Sequence, residues 1–245
     1  MRVAVISDIH ANLAALNLVL ADAGVVDETW CLGDVVGYGP QPNECIEVLR
    51  EREPHLLCLA GNHDWAALGK LDTAQFNHDA EAAVLWTRNT LSKESHAYLD
   101  GLPERLQRDE FSLVHGSLRD PIMEYVVSLA VARENFAVLK TRYCLLGHSH
   151  LPFVMVEAEH AGNLPEHRVA HVNVAVALAE RRLIINPGSV GQPRDGVRDA
   201  SYLILDTAAL TIEHRRVVYP IKETQQLMEQ AGLPKRLIAR LDYGL

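Results

Sequence analysis

The chain has 245 residues, of which 48% are hydrophobic and 22% charged, a balance typical of globular proteins that sets disordered and fibrous classes aside. Asp and Glu number 32 against 23 Lys and Arg, a net charge of −9, which argues against a surface that tracks long nucleic acid. No apolar run nears the roughly 18 residues of a membrane span, and the opening MRVAVISD enters a strand pattern without a signal-peptide cleavage site.

A cytoplasmic location and a single domain over residues 1–245 are the resulting expectations. Cys31, Cys45, Cys58 and Cys144 are far apart in the sequence and read as buried thiols.

In chain order, apolar runs of strand length occur at 2–6, 29–32, 56–60, 111–114 and 143–146, each short enough for a buried strand. Amphipathic stretches of helical period lie between and after them, at 13–23, 44–53, 79–91 and 129–139. Strand and helix alternation predicts a largely parallel sheet in this half. Further runs follow at 152–156, 169–176, 182–185, 201–205 and 210–217, several of them separated only by short turns, as in hairpins. Two helical segments close the chain, at 221–231 and 234–241, with Gly232 as a stop for the first. The expected architecture is α/β, two packed sheets with helices outside.

Ligands of open α/β sheets bind beyond the carboxyl ends of the strands. There the sequence places Asp8 and His10, then Gly33-Asp34, then Gly61-Asn62-His63-Asp64, then His115-Gly116, then Gly147-His148-Ser149-His150. A carboxylate and an imidazole two residues apart can converge on one ion if the chain bends after the strand. Each residue alone has an ordinary reading: Asp8 or Asn12 as a helix cap, Asn62 in a tight turn, a histidine as a hydrogen-bonded loop residue. Five such coincidences at successive strand ends are much harder to accept.

The ordered set D-x-H, G-D, G-N-H-D, H-G and G-H-x-H, spanning Asp8 to His150, resembles the signature of the calcineurin-like metallophosphoesterase superfamily. The stretches GDVVGYGP, GNHDW, HGSLRDPIMEY and NPGSVGQPRD resemble a compact single-domain bacterial and archaeal phosphodiesterase branch of it. The resemblance implies a four-layer α/β/β/α sandwich of two mixed sheets flanked by helices. It also implies two divalent metal ions, one held by Asp8, His10, Asp34 and His150 and the other by Asp34, Asn62, His115 and His148. An all oxygen and nitrogen donor set suits Mn, the favoured ion, or Fe, Zn, Co or Ni.

The implied activity is hydrolysis of small phosphodiesters by a hydroxide bridging the two ions, with His63 as general acid. Alternatives are a phosphomonoesterase or protein phosphatase, a symmetrical dinucleoside polyphosphate hydrolase, and, less favoured because every ligand position is intact, a non-catalytic scaffold. Arg194, Tyr38 and Arg119 are the candidate substrate contacts. Oligomeric state is not legible. Where many relatives carry an acid three residues after the G-D aspartate, this chain has Gly37, so His63 needs another orienting group, with Asp64 or a backbone carbonyl as the options.

Overall fold

The computed structural model describes residues 1–160, 162–178 and 181–245, and the side chains of all of these but Gln75. Its strands in chain order are β1 (Arg2–Ile6), β2 (Glu28–Cys31), β3 (Leu56–Cys58), β4 (Arg105–Arg108), β5 (Phe111–Val114), β6 (Tyr143–Leu145), β7 (Phe153–Val156), β8 (Glu166–Val169), β9 (Val176–Ala177), β10 (Leu183–Asn186), β11 (Ala200–Asp206) and β12 (Thr211–Val217). They form two six-stranded mixed sheets, ordered β3-β2-β1-β11-β12-β9 and β4-β5-β6-β10-β7-β8. β1, β2 and β3 are mutually parallel in the first sheet, as are β5, β6 and β10 in the second. The later strands add antiparallel partners, including the β11–β12 hairpin.

Strand periodicity builds the layers. In β1, Val3 and Val5 point into the core between the sheets, with Trp30, Leu32, Leu113, Leu145 and Ile185. Ala4 and Ile6, on the opposite face, pack on helices α1 (Leu13–Ala23) and α2 (Pro42–Arg50) through Leu16, Val19, Ile46 and Leu49. Three more helices follow α2: α3 (Asn62–Ala67), α4 (His78–Thr90) and α5 (Lys93–Asp100). On the outer face of the second sheet, α6 (Leu129–Val138) buries Ala132 and Phe136 against Cys144, Phe153 and Ile184. Helices α7 (Ile221–Gln230) and α8 (Lys235–Arg240) complete the first sheet's cover. Helix, sheet, sheet, helix is the layering that the sequence motifs implied.

Asn12 sets the angle at which the chain leaves β1. Its Oδ1 accepts from Ala15 N at 3.2 Å and caps α1, while its Nδ2 donates to Gly191 O at 3.0 Å. Gly232 ends α7 at φ 69°, and Leu233 N reaches back to Met228 O at 3.0 Å. All four cysteines are buried free thiols.

The run at 169–176 is not one strand. It is the exposed link between β8 of one sheet and β9 of the other, with Val169, Val172, Val174 and Val176 all facing outward. Valine-rich alternation mimicked a strand there, but no core face exists to hold one. Among the described residues no helix is long and apolar enough to cross a membrane.

Candidate metal centre

The carboxyl ends of β1, β2 and β3 from one sheet and of β5 and β6 from the other meet at one edge. The chain turns sharply as it leaves the strands, with Asp8, His10, Asp34, His148 and His150 all in the left-handed region, φ 49° to 65°. A non-glycine residue there carries a cost of order 1 to 3 kcal/mol, held in place by its surroundings. The loop after β10 supplies much of that restraint. Ser189 Oγ donates to Asp8 O at 2.8 Å, and Gly191 N donates to the same carbonyl at 2.9 Å. A Cβ on Gly191 would overlap Ile9 O, so only glycine allows this approach.

Two groups of donor atoms result, Asp8, His10, Asp34 and His150 in one and Asp34, His115 and His148 in the other, all buried, each group with its atoms within 4.8 Å of one another. Asp34 belongs to both. Asn62 Oδ1 joins the second group, 3.1 Å from His115 Nε2.

Every imidazole is tethered through one nitrogen. His10 Nδ1 lies 3.1 Å from Val36 O, His115 Nδ1 2.9 Å from Leu32 O, His148 Nε2 3.2 Å from Met123 O, and His150 Nδ1 2.5 Å from Gln192 O. A carbonyl only accepts, so these nitrogens carry the protons and the opposite ones are bare in the neutral rings. The bare nitrogens face each other, His10 Nε2 to His150 Nε2 at 3.1 Å and His115 Nε2 to His148 Nδ1 at 3.2 Å. Asp8 Oδ1 and Asp34 Oδ2 are buried with no hydrogen-bond partner, and they point at the same nitrogens, His150 Nε2 at 3.2 Å and His115 Nε2 at 3.3 Å. Lone pair facing lone pair in a buried space is unfavourable unless a cation, a proton or a metal ion, lies between them. The residues therefore fit a pair of divalent ions sharing Asp34.

The titration shifts tell the same story for the metal-free protein. Burial opposes the charge on Asp34, yet His115, His63 and His10 hold its carboxyl well below the usual range. Asp8 is likewise held low against its burial, by His150 and His115. Burial also opposes the His115 imidazolium, but the charges of Asp34 and Asp8 raise it to about 9. Burial takes His148 down to about 3.

His63 stands outside both groups. Its backbone N donates to Asp34 Oδ1 at 2.8 Å, and its Nδ1 is buried without a partner. Burial lowers its pKa to about 4 against the opposing pull of Asp34. Asp64 does not orient it, because that carboxylate accepts from Val36 N at 3.0 Å and Gly61 N at 2.9 Å. No backbone carbonyl does so either among the described residues. The ring is wedged between aromatics instead: Tyr38 at 4.3 Å, His10 at 4.9 Å and Phe76 at 5.0 Å, centroid to centroid. Gly37, at φ 89°, leaves the space, since a Cβ there would lie 2.7 Å from His63 Nδ1.

Tyr38 is buried, and the Arg194 guanidinium lies over its ring at 5.7 Å from the centroid, with Nη2 3.4 Å from the phenol oxygen. Both residues thus lie beside the histidines of the centre, Tyr38 through its ring contacts with His10 and His63 and Arg194 through Tyr38. Arg119 is placed otherwise, paired with Glu124 at 2.7 Å and Glu134 at 3.8 Å, with 42% of its side chain exposed. Residues the sequence did not single out include Phe76, which lies between the G-N-H-D and H-G motifs, and Met123 and Gln192, which act through backbone oxygens and so leave no side-chain signature. Ser189 and Gly191 lie in the stretch NPGSVGQPRD, whose resemblance to the family is the signal that points to them.

Residues 1–209 match the family model of the calcineurin-like phosphoesterase superfamily domain. An uncharacterized protein of Methanocaldococcus jannaschii is 40% identical over 250 residues, covering 99% of this chain and 98% of that protein. The crystal structure of a metallophosphoesterase from Sphaerobacter thermophilus superposes with a TM-score of 0.90 at 44% identity, covering 100% and 99% of the two chains. A hypothetical protein from Pyrococcus horikoshii shares the fold at a TM-score of 0.80 and 20% identity, covering 100% and 98%. With these matches and a buried Asp/His cluster at the strand ends, the chain belongs to the calcineurin-like phosphoesterase superfamily, a family of metal-dependent hydrolases.

Proposed function

We propose that the chain hydrolyses small phosphodiesters with two metal ions, one held by Asp8, His10, Asp34 and His150 and the other by Asp34, Asn62, His115 and His148. The observation that carries this reading is the pairing of inward-facing imidazole nitrogens, 3.1 Å apart in one group and 3.2 Å in the other, beside unpartnered oxygens of Asp8 and Asp34. Bound there, the ions would activate water and neutralise charge on the phosphoryl oxygens.

The chain's own groups do the rest. Val36 O, Leu32 O, Met123 O and Gln192 O fix the imidazole tautomers, which preserves the donor atoms aimed inward. Arg194 offers a guanidinium to a non-bridging phosphoryl oxygen and is steadied by Tyr38 and Gln192. His63 hands a proton to the leaving oxygen. Burial keeps its ring neutral in the resting protein, and an arriving phosphoester anion favours the imidazolium that can donate. The diester preference follows from charge: Arg194 is bonded to Tyr38 and Gln192 beside the cluster while Arg119 is held by Glu124 and Glu134, and a monoanion needs less compensation than a dianion. Oxygen and nitrogen donors of this kind accept Mn, Fe, Zn, Co or Ni, and Mn is the ion we propose.

The test is metal content together with a substrate panel. Purified protein supplied with Mn carries close to two ions by elemental analysis. It hydrolyses bis-nitrophenyl phosphate with a higher kcat/KM than nitrophenyl phosphate. Absence of bound metal refutes the centre, and a consistent preference for monoesters transfers the assignment to a phosphomonoesterase.

A further inference from the structure

The stretch HGSLRDPIMEY, residues 115–125, opens with the donor His115 and closes with Tyr125. The Tyr125 ring lies on the imidazole of His148, centroids 3.7 Å apart and planes inclined by 23°. His148 is buried, yet Tyr125 is 45% exposed. One face of the ring is therefore covered by the histidine while the other is open at the rim of the centre.

The segment that carries this ring is pinned. Met123 O lies 3.2 Å from His148 Nε2. The Glu124 carboxylate accepts from Ser117 Oγ at 2.6 Å, Arg119 Nη2 at 2.7 Å and Asn135 Nδ2 at 3.1 Å. Val126 is buried in the outer core with Phe136 and Leu146. With Glu124 and Val126 turned inward, Tyr125 and Val127 are left on the outward side, both exposed. Burial raises the Tyr125 phenol and the Arg194 charge draws it down, so the hydroxyl end is the sheltered one, on the side of the centre. The first donor group has a tyrosine beside it too, since Tyr38 lies 4.7 Å from His10 and 4.3 Å from His63, centroid to centroid. That ring is only 6% exposed and has Arg194 over it. Of the two tyrosines, Tyr125 is the one with a face to offer.

We propose that the open face of Tyr125 stacks against a flat aromatic group, aryl or nucleobase, on the ester arm that stays on phosphorus. The proposal rests on the phosphodiesterase reading, and it adds a class of substrate. His63 packs on His10 and Tyr38, so the proton donor for the leaving oxygen stands by the first group and the stacking face by the second. Stacking accepts any flat ring, because each presents a π-face. A tyrosine already held in place loses little freedom when a ligand covers it. The product that keeps the aromatic arm is an aryl or nucleoside monoester.

The experiment compares Mn-loaded wild-type protein with Tyr125→Phe, Tyr125→Leu and Tyr125→Ala on three diesters that share a nitrophenolate leaving group, the arm that stays being methyl, phenyl or thymidine. The methyl diester, measured in the same protein, is the reference. Wild type and Tyr125→Phe favour the aromatic arms. Tyr125→Leu and Tyr125→Ala lower the kcat/KM ratio of aromatic to methyl diester by about tenfold, the scale of one lost stacking contact. A loss for phenyl alone assigns the face to aryl esters, and a loss for both arms extends it to nucleobases. An unchanged ratio in the Leu and Ala variants, or a loss as large in Tyr125→Phe as in Tyr125→Ala, overturns the proposal. Titration calorimetry with phenylphosphonate and methylphosphonate needs no turnover: wild type and Tyr125→Phe bind the phenyl compound more tightly, and Tyr125→Leu narrows that margin by about tenfold. The same margin in all three also overturns it. Inactivity of every protein on every diester counts against the phosphodiesterase reading instead, and calorimetry still decides the stacking face.

Discussion

The two donor groups look alike but differ in charge. The first contains two carboxylates, Asp8 and Asp34, with two imidazoles; the second contains only the shared Asp34, an amide from Asn62 and two imidazoles. With the shared Asp34 counted as half to each, the first group carries one and a half negative charges and the second one half. With an ion bound in each group, the second position would keep more positive charge and be the stronger electrophile toward a phosphoryl oxygen. The metal-free protein compensates at that same place, since it is His115 of the second group whose pKa rises to about 9. A proton stands in where a cation is missing.

Asp34 is where the comparison can be broken most severely. Asp34→Asn removes the only carboxylate of the second group and half of those in the first. Both ions are lost by elemental analysis, and activity falls by at least about 10³-fold, beyond what single electrostatic donors usually supply. Retention of one ion would show that the groups are independent. His63→Ala touches neither group directly, so metal content stays near two. Activity on alkyl diesters drops by about 10² to 10⁴, and on nitrophenyl diesters by less, because nitrophenolate leaves without a proton. Equal losses on both would make His63 a positioning residue.

Substitutions confined to one group separate them. Asp8→Asn weakens the first ion and Asn62→Ala the second, each by at least about 10- to 100-fold in affinity. The Asp8 change is the larger, because it removes a charge rather than a dipole; the reverse order in a metal titration would contradict the charge argument. The smallest effect is a proton count. At pH 7 His115 lies below its raised pKa of about 9 and is protonated in the metal-free protein, while a metal ligand must be neutral. Metal binding to the second position then releases about one proton at pH 7 and tightens as pH rises toward 9. Calorimetry in two buffers of different ionisation enthalpy measures that proton, and its absence in wild type would remove the basis for the difference between groups.

Much of this centre was legible in the sequence because ligands are side chains in fixed order at strand ends. Asp8, His10, Asp34, Asn62, His115, His148 and His150 are brought together as the motifs implied. The architecture followed from the same motifs and from short apolar runs such as that of β1 alternating with amphipathic helical stretches. What stayed hidden has physical causes. β4 is an exposed polar edge, Arg105–Arg108, and carries no apolar period. α3 is six residues long and begins inside the G-N-H-D motif, too short for a helical repeat to declare itself. The orientation of His63 depends on Phe76, thirteen positions away by the numbering, and on empty space at Gly37. Shape of that kind is set by tertiary packing, which no local pattern records.

The bonds that hold Asp8 also bear on when this centre can come into being. Its Oδ2 accepts from His148 N, 140 positions along the chain, and its carbonyl accepts from Ser189 Oγ, 181 positions along. Contacts so distant in sequence require the strand ends of both sheets to be in place together. A nascent chain therefore exposes its histidines and carboxylates before they can act as a chelate. With metal bound as proposed, uptake would report completed folding, and free metal concentration would be a lever on the folded population, by RT ln(1 + [M]/Kd) for each site.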